Sequence, residues 1–317
     1  MTEQIKAFLP VLGVVIIYLN YFLTPNSNTV MIAQTKTYPV FIGLLALAYV
    51  IRYGLYWKSP KKRRDIADNE APRIFAAAIA LTLWDYATLK TAILPMPYFP
   101  WVDRILNVFL SDWKLLGLSV VYSLRLLLVG YFFGAVCGLI SGVLIGWFKK
   151  VEYWAMPVVR MIGPVPAVVW IPIVMILSPT TFAGSVFLVG LAVWFPVTLM
   201  TASGIFGVSK AYFEVANTLG ADEKYLIFNV AIPAALPHVF LGLFQGMGVA
   251  CVTLISAEML GVKAGLGWYI TSSTAWAEYN KVFASIMLIL ITFTSVVTLI
   301  FRIRDRFLAW QKGVIKW

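Results

Sequence analysis

Long runs of apolar residues, nearly free of charge, decide what this chain can fold into. Residues 182–203 contain no charged side chain at all, and 121–148 contain one, Arg125. In a bilayer core no water pairs with the backbone, so every N–H and C=O must be satisfied within a helix or a closed barrel. The runs lack the period-two alternation of barrel strands, which leaves helices. Charged residues make up 12% of the chain, about half the share of a soluble domain, so lipid must face much of the surface.

A span needs roughly 20 apolar residues to cross about 30 Å. Eight stretches meet that need, at 7–24, 38–57, 74–94, 121–148, 154–177, 182–203, 236–261 and 282–303. The expected fold is therefore all-α, a polytopic membrane bundle of about eight transmembrane helices. The first stretch has no clean small-residue cleavage site after it, and Tyr18, Asn20 and Tyr21 suit a span approaching an interface. Residues 100–114 are too short and too charged to span. Trp101, Ile105, Val108 and Phe109 fall near one helical face, with Asp103, Arg104 and Asn107 elsewhere, as in a helix lying in the outer interface.

Net charge is +11. In a soluble protein that would suggest nucleic acid. Here the basic residues gather in a few short loops, so they set orientation instead. Lys6, the run Lys58-Ser-Pro-Lys61-Lys62-Arg63-Arg64, Arg73, Lys149, Lys150, Lys210, Lys224 and the tail share one side, which is expected to place both termini in the cytoplasm. The longest cytoplasmic loop is then 204–235. Cys137 and Cys251 lie inside apolar runs and read as buried thiols, with no disulfide or metal spacing. The lone histidine, His238, suits a capping or packing role.

The 204–235 loop carries the most specific pattern. It reads Glu214-Val215-Ala216, three residues, Gly220, nine residues, then Val230-Ala231-Ile232-Pro233. Residues 209–219 can form a short helix that Gly220 stops at its C′ position. A second short helix is expected from Asp222 to Pro233. A stiff helix–turn–helix can dock into a cleft of a soluble partner; small Ala216 allows close approach and Glu214 offers a charge.

This pattern resembles the coupling loop of binding-protein-dependent ABC importer permeases, Glu-Ala-Ala, three residues, Gly, nine residues, Ile-x-Leu-Pro. The downstream segments Ala234-Ala-Leu-Pro237, Ala257-Glu258-Met-Leu-Gly261 and Gly265-Leu-Gly267, with upstream Ser123-Leu-Arg125 and Pro164-Val-Pro166…Pro172, resemble the nitrate/taurine/aliphatic-sulfonate branch. The likeness covers about 74–310 and departs after Pro172, where the family shows Trp-Phe-Gly and this chain shows Met175-Ile-Leu-Ser178-Pro179. It implies a type I permease core of six helices plus two extra N-terminal spans. The organisation expected is 1–73 for those spans and a basic loop, 74–310 for the permease domain, and 311–317 for a cytoplasmic tail. It also implies a cytoplasmic ABC ATPase that consumes the ATP, a second permease copy in a homodimer, and an extracytoplasmic substrate-binding protein. The implied cargo is a nitrate-, sulfonate- or taurine-like anion, with a pyrimidine or bicarbonate as the alternative.

Three further features bear on transport. Gly130, Gly134, Gly138, Gly142 and Gly146 recur every four residues. Glycine costs a helix about 1 kcal/mol against alanine, so the row suggests a close-packed face, either a seam that slides or one that packs statically. Pro157, Pro164, Pro166 and Pro172 free backbone carbonyls and kink helices, which puts this span beside a translocation path. Arg125, Arg160 and Glu258 are charges in or near apolar spans and so face protein or water. Both arginines lie near span ends, which favours snorkelling or pairing with Glu258 over contact with an anionic substrate.

The sequence contains no phosphate loop, nucleophile elbow or His/Cys cluster. No catalytic or metal site is expected, and no cofactor bound by this chain. The competing classes are a membrane-embedded enzyme, which needs convergent polar residues at one depth, and an ion-driven secondary transporter, which needs mid-span acids. Asp85 is the one mid-span acid.

Overall fold

A computed structural model describes residues 3–27, 36–57 and 61–308. Its regular elements are all helical: α1 (Glu3–Leu23), α2 (Thr37–Trp57), α3 (Lys61–Asp85), α4 (Val102–Ser111), α5 (Trp113–Trp147), α6 (Lys149–Ile162), α7 (Ile171–Leu177), α8 (Thr181–Phe206), α9 (Lys210–Thr218), α10 (Glu223–Tyr225), α11 (Ile232–Gly261), α12 (Leu266–Ala275) and α13 (Tyr279–Phe307). Among the described residues, four helices are long and apolar enough to cross a bilayer: α5, α8, the continuous Glu223–Gly261 and α13. A fifth crossing is open to the bent pair of α6 with Ala167–Leu177. α1 and α2 hold shorter apolar stretches, Leu9–Leu23 and Thr37–Arg52, and α3 begins with Lys61-Lys62-Arg63-Arg64-Asp65. The supported count is thus below the expected eight.

The span expected at 154–177 is not one helix. Gly163-Pro164-Val165-Pro166 interrupts it, and the two arms bend by 84°. Each proline lacks an amide donor and its ring clashes with the carbonyl four residues back, so Pro164 and Pro166, two residues apart, end the helix rather than kink it.

Contacts among the described residues group the chain into two compact units. One is Met1–Lys114 with Ser272–Ser285, the other Leu115–Thr271 with Ile286–Trp317.

In the first unit, α1 packs on α3 where Gly13 meets Phe75 and Ala78; a Cβ at Gly13 would stand 2.7 Å from that of Ala78. The core joins Ile17, Tyr38, Ile42, Ala78, Val102 and Leu106. Polar groups near the α1 C-terminus are tied down. Asn20 donates to Asp85 Oδ2 at 3.1 Å, and Lys90 Nζ donates to the carbonyls of Tyr21 and Thr24 and to Asn26 Oδ1. α4 is the short amphipathic helix the sequence implies. Asp103 departs from that reading, however, being buried and accepting from the Tyr38 amide at 2.8 Å. A carboxylate can leave water when a backbone N–H replaces it. The first turns of α13 join this unit through Phe283 against Trp84 and Lys281 paired with Asp112 at 3.2 Å.

In the second unit, α5, α8 and α11 supply the core: Leu126 and Leu127, then Val189, Val193 and Val197, then Met247, Ala250 and Leu254. The α5 glycines meet a matching row on α8. Cβ atoms built at Gly130, Gly134, Gly138, Gly142 and Gly146 would lie 2.5–2.9 Å from the Cβ atoms of Val189, Val193, Val197, Thr201 and Ile205 respectively. Both rows advance by four and in the same direction, so α5 and α8 run parallel and backbone-close. Parallel neighbours require a return connection across their length, and α6 with α7 is that return. Gly204, Gly242 and Gly246 do the same between α8 and α11, whose numbering runs in opposition: Gly204 meets Ala235 and His238, Gly242 meets Met200, and Gly246 meets Val193. These two helices are antiparallel and joined through α9 and α10. Of the two cysteines, Cys251 is buried as expected and Cys137 is exposed.

Candidate functional site

The connection between α8 and α11 is an exposed surface of the second unit. No residue of α9 is buried. The helix ends as its sequence dictates. Gly220 has φ +84°, and the amides of Ala221 and Gly220 return to the carbonyls of Ala216 (3.0 Å) and Asn217 (2.9 Å). A Cβ at Gly220 would meet nothing within 4 Å. Glycine is therefore required by backbone conformation and not by space. Asp222 then caps the next helix, its Oδ1 accepting from Tyr225 N at 2.9 Å.

That second helix does not stop at Pro233. It passes through a π-helical turn at Leu226–Ala231 and continues as α11 to Gly261. The widened turn shifts the preceding carbonyls, so the proline ring that would end a regular helix is accommodated.

α9, the turn and the start of α11 enclose an open groove of about 1180 Å³, lined by Tyr212, Val215, Ala216, Leu219, Gly220 and Tyr225 among others, and by Pro233 at its base. Leu219 is 83% exposed. Glu214 is exposed beside this groove without lining it. The hairpin is held to the helical core by Trp147 at the end of α5. Its Nε1 donates to Glu223 Oε1 at 3.0 Å and its ring packs edge-on against Phe213 at 5.7 Å. Neither Trp147 nor Phe213 carries a motif signal; the tryptophan is 66 residues upstream of its ring partner, and only the α5–α8 register brings them together.

A second concavity, about 530 Å³, lies between the Gly163–Pro166 break, α8 and α11. Pro166, Trp194, Phe195, Gln245 and Gly248 line it. It shares Ile162, Leu191 and Trp194 with a 700 Å³ trough along α5 and α8 that includes Gly134, Cys137 and Phe182. Trp194 Nε1 donates to Ser141 Oγ at 3.0 Å, and Ser141 and Thr198 share a hydrogen bond of 2.7 Å. Of the sequence-marked pathway residues, only Pro166 lines this cavity. Pro172 starts α7. Arg160 is exposed in the last turn of α6. Arg125 is exposed, its guanidinium 5.1 Å over the Phe182 ring.

Glu258 is fully buried and no salt bridge links it to either arginine. Ser123 Oγ donates to its carboxylate at 2.7 Å, Gly267 N donates to Oε2 at 2.9 Å, and Leu266 N donates to Ser123 Oγ at 2.9 Å. The carboxylate thus sits at the positive N-terminal end of α12 and ties that end to α5. A Cβ at Gly265, where φ is +109°, would fall 2.3 Å from Glu258 Oε1, and one at Gly267 2.8 Å from Glu258 Cβ. The Gly-Leu-Gly and Ala-Glu-Met-Leu motifs are therefore two halves of one corner.

Among known proteins, residues 130–310 match the family of binding-protein-dependent transport system inner membrane components. A nitrate import permease protein of Synechococcus elongatus is 29% identical over 239 residues, 73% of this chain and 82% of that protein. A putative aliphatic sulfonates transport permease of Bacillus subtilis is 34% identical over 160 residues, 50% of this chain and 58% of that protein. The taurine transport system permease of Escherichia coli is 25% identical over 252 residues, covering 77% and 91%. A chain of the MetNI methionine ABC transporter in an inward-facing form superposes with TM-score 0.52 at 20% identity, covering 64% of this chain and 97% of that one. That likeness concerns the fold.

Proposed function

This chain belongs to the binding-protein-dependent transport system inner membrane components, a family of ABC importer permeases, and from that premise we propose how it works and what it carries. The observation that carries the reading is the exposed α9 hairpin, an ordered, apolar-lined groove with a charged edge held by Trp147 against the ends of three core helices. A soluble protein seldom leaves such a patch uncovered. The occupant we assign is a cytoplasmic ATPase. Val215, Ala216 and Leu219 would meet its cleft, Glu214 would pair with a basic group at the rim, and Gly220 would fix the angle between the two arms.

Motion of the ATPase would then pass through Trp147 and Phe213 into α5 and through the unbroken Glu223–Gly261 helix into the core. The translocation path is assigned to the concavity at the α6–α7 break, where Pro166 frees backbone groups, Trp194 lines the wall, and Gln245 is exposed. A second copy of this chain facing the concavity closes it into a channel in a homodimer. α1 to α3 bring the number of crossings to eight, both termini being cytoplasmic, and an extracytoplasmic binding protein delivers the cargo to the other face.

The cargo class assigned is a small oxyanion or sulfonate, on the strength of the nitrate, sulfonate and taurine permeases it resembles. The test is reconstitution in proteoliposomes with the neighbouring ATPase and binding protein, measuring ATP-driven uptake of nitrate, taurine and an alkanesulfonate against a pyrimidine and bicarbonate. Uptake of an anion from the first group supports the assignment. Uptake only of the others overturns the cargo, and uptake indifferent to ATP overturns the importer.

A further inference from the structure

The first unit contains a slot that its own side chains do not fill. α1 and α3 pack closely at Gly13, but α2 stands off from them and leaves a cavity of about 230 Å³ with largely apolar walls, among them Pro10, Val14, Ala46, Tyr49, Ala77 and Ala78. Ala46 on α2 and Ala77 and Ala78 on α3 are among the lining, and among the described residues no charged one lines it. One end of the slot is strongly basic. Tyr49 and Val50 lie within a turn of Arg52, and Ile74 follows Arg73 directly. Residues 52–73 carry seven basic and three acidic side chains. Arg52 is engaged by Glu70 at 2.7 Å, while Arg73 is exposed.

We propose that this slot holds one acyl chain of an anionic phospholipid whose phosphate is bound at the basic end, by Arg73. The apolar walls match the chain, and the surplus of positive charge at one end matches the phosphate. A transmembrane helix about 10 Å across is too wide for a cavity of 230 Å³. An acyl chain is narrow and flexible enough to enter it. The site gives the N-terminal helices, which the family match does not reach, a lipid-binding role of their own. The proposal stands apart from the transport reading, since it concerns only α1 to α3.

The test uses the purified full-length chain in detergent, supplied with phosphatidylglycerol or phosphatidylcholine of identical acyl chains and examined by native mass spectrometry. The expected result is one phosphatidylglycerol retained per chain in preference to phosphatidylcholine. Ala77→Trp and Ala46→Phe, on different helices, should each abolish retention. Arg73→Gln should keep chain binding but weaken the headgroup preference about fivefold, the equivalent of ~1 kcal/mol for one basic side chain. Equal retention of both lipids, or unchanged retention in the slot-filling variants, overturns the proposal. Should those variants fail to elute as folded protein, a phosphatidylglycerol with a photoreactive acyl chain gives the answer on the wild type. Label on 42–50 or 74–81 supports the site, and label spread elsewhere overturns it. Disulfide dimers of Ala46→Cys that exclude lipid would assign the slot to a second copy instead.

Discussion

The α5–α8 seam and the α9 hairpin both depend on glycine, for opposite reasons. In the seam, Gly130 to Gly146 are required by space: a Cβ at Gly134 would stand 2.4 Å from the Gly190 carbonyl oxygen. In the hairpin, Gly220 has open space around it and is required by its φ of +84°. The seam is buried and in contact along its whole length, so it governs whether the second unit folds. The hairpin is exposed, so it governs what the folded chain can hold. Glycines that look alike in sequence thus serve stability in one region and recognition in the other.

The contrast breaks most visibly at the seam. Gly134→Leu should cost about 1–3 kcal/mol or more through overpacking and abolish monodisperse, folded protein on size-exclusion chromatography. Gly117→Ala, in the same helix but with nothing within 4 Å of its would-be Cβ, should raise the melting temperature slightly, by up to ~1 kcal/mol of helix propensity. If both variants behave alike, close packing is not what the glycine row provides.

The Glu258 corner is the next test. Glu258→Ala strands the Gly267 amide and the Ser123 hydroxyl, which should cost about 1–3 kcal/mol. Amide hydrogen exchange should accelerate across 262–275, the segment the carboxylate holds, with the α9 hairpin unchanged. Uniform acceleration throughout the second unit would mean that the corner is not a local tie.

Smaller still is Gly220→Ala. An L-residue in the left-handed region costs about 1–2 kcal/mol, confined to the hairpin, so the melting temperature should fall by only a few degrees while affinity for the ATPase falls further. Glu214→Lys, fully on the surface, should leave stability within about 0.5 kcal/mol and still impair ATPase capture, as read in a pull-down. A loss of stability larger than that of Gly220→Ala would place Glu214 in the fold instead of at the docking rim.

What the sequence made legible follows the range of the interactions. The α9 hairpin could be read because a helix stop, a left-handed glycine and an Asp cap are all local signals. The glycine row could be read as a packing face because its period matches the helix, although its partner, the row from Val189 to Ile205, emerged only in three dimensions. Long-range features escaped. The Glu258 carboxylate is bound by Ser123, 135 residues away, so the sequence suggested an arginine partner where a hydroxyl and an amide stand. Asp103 looked like a surface acid because the Tyr38 amide that buries it lies 65 residues away. The prolines were legible as disturbances but not in their outcome. Two of them beside Gly163 broke a span, whereas Pro233 was absorbed by a π-helical turn.

The central claim is that the α9 hairpin docks a cytoplasmic ATPase. The most direct measurement is co-purification of the neighbouring ATPase with wild-type chain and with the double variant Glu214→Lys, Gly220→Asp, both shown to be folded in the membrane by thermal melting. The account predicts that the wild type retains the ATPase and the double variant does not. Equal retention by both would contradict it and place the docking surface elsewhere on the chain.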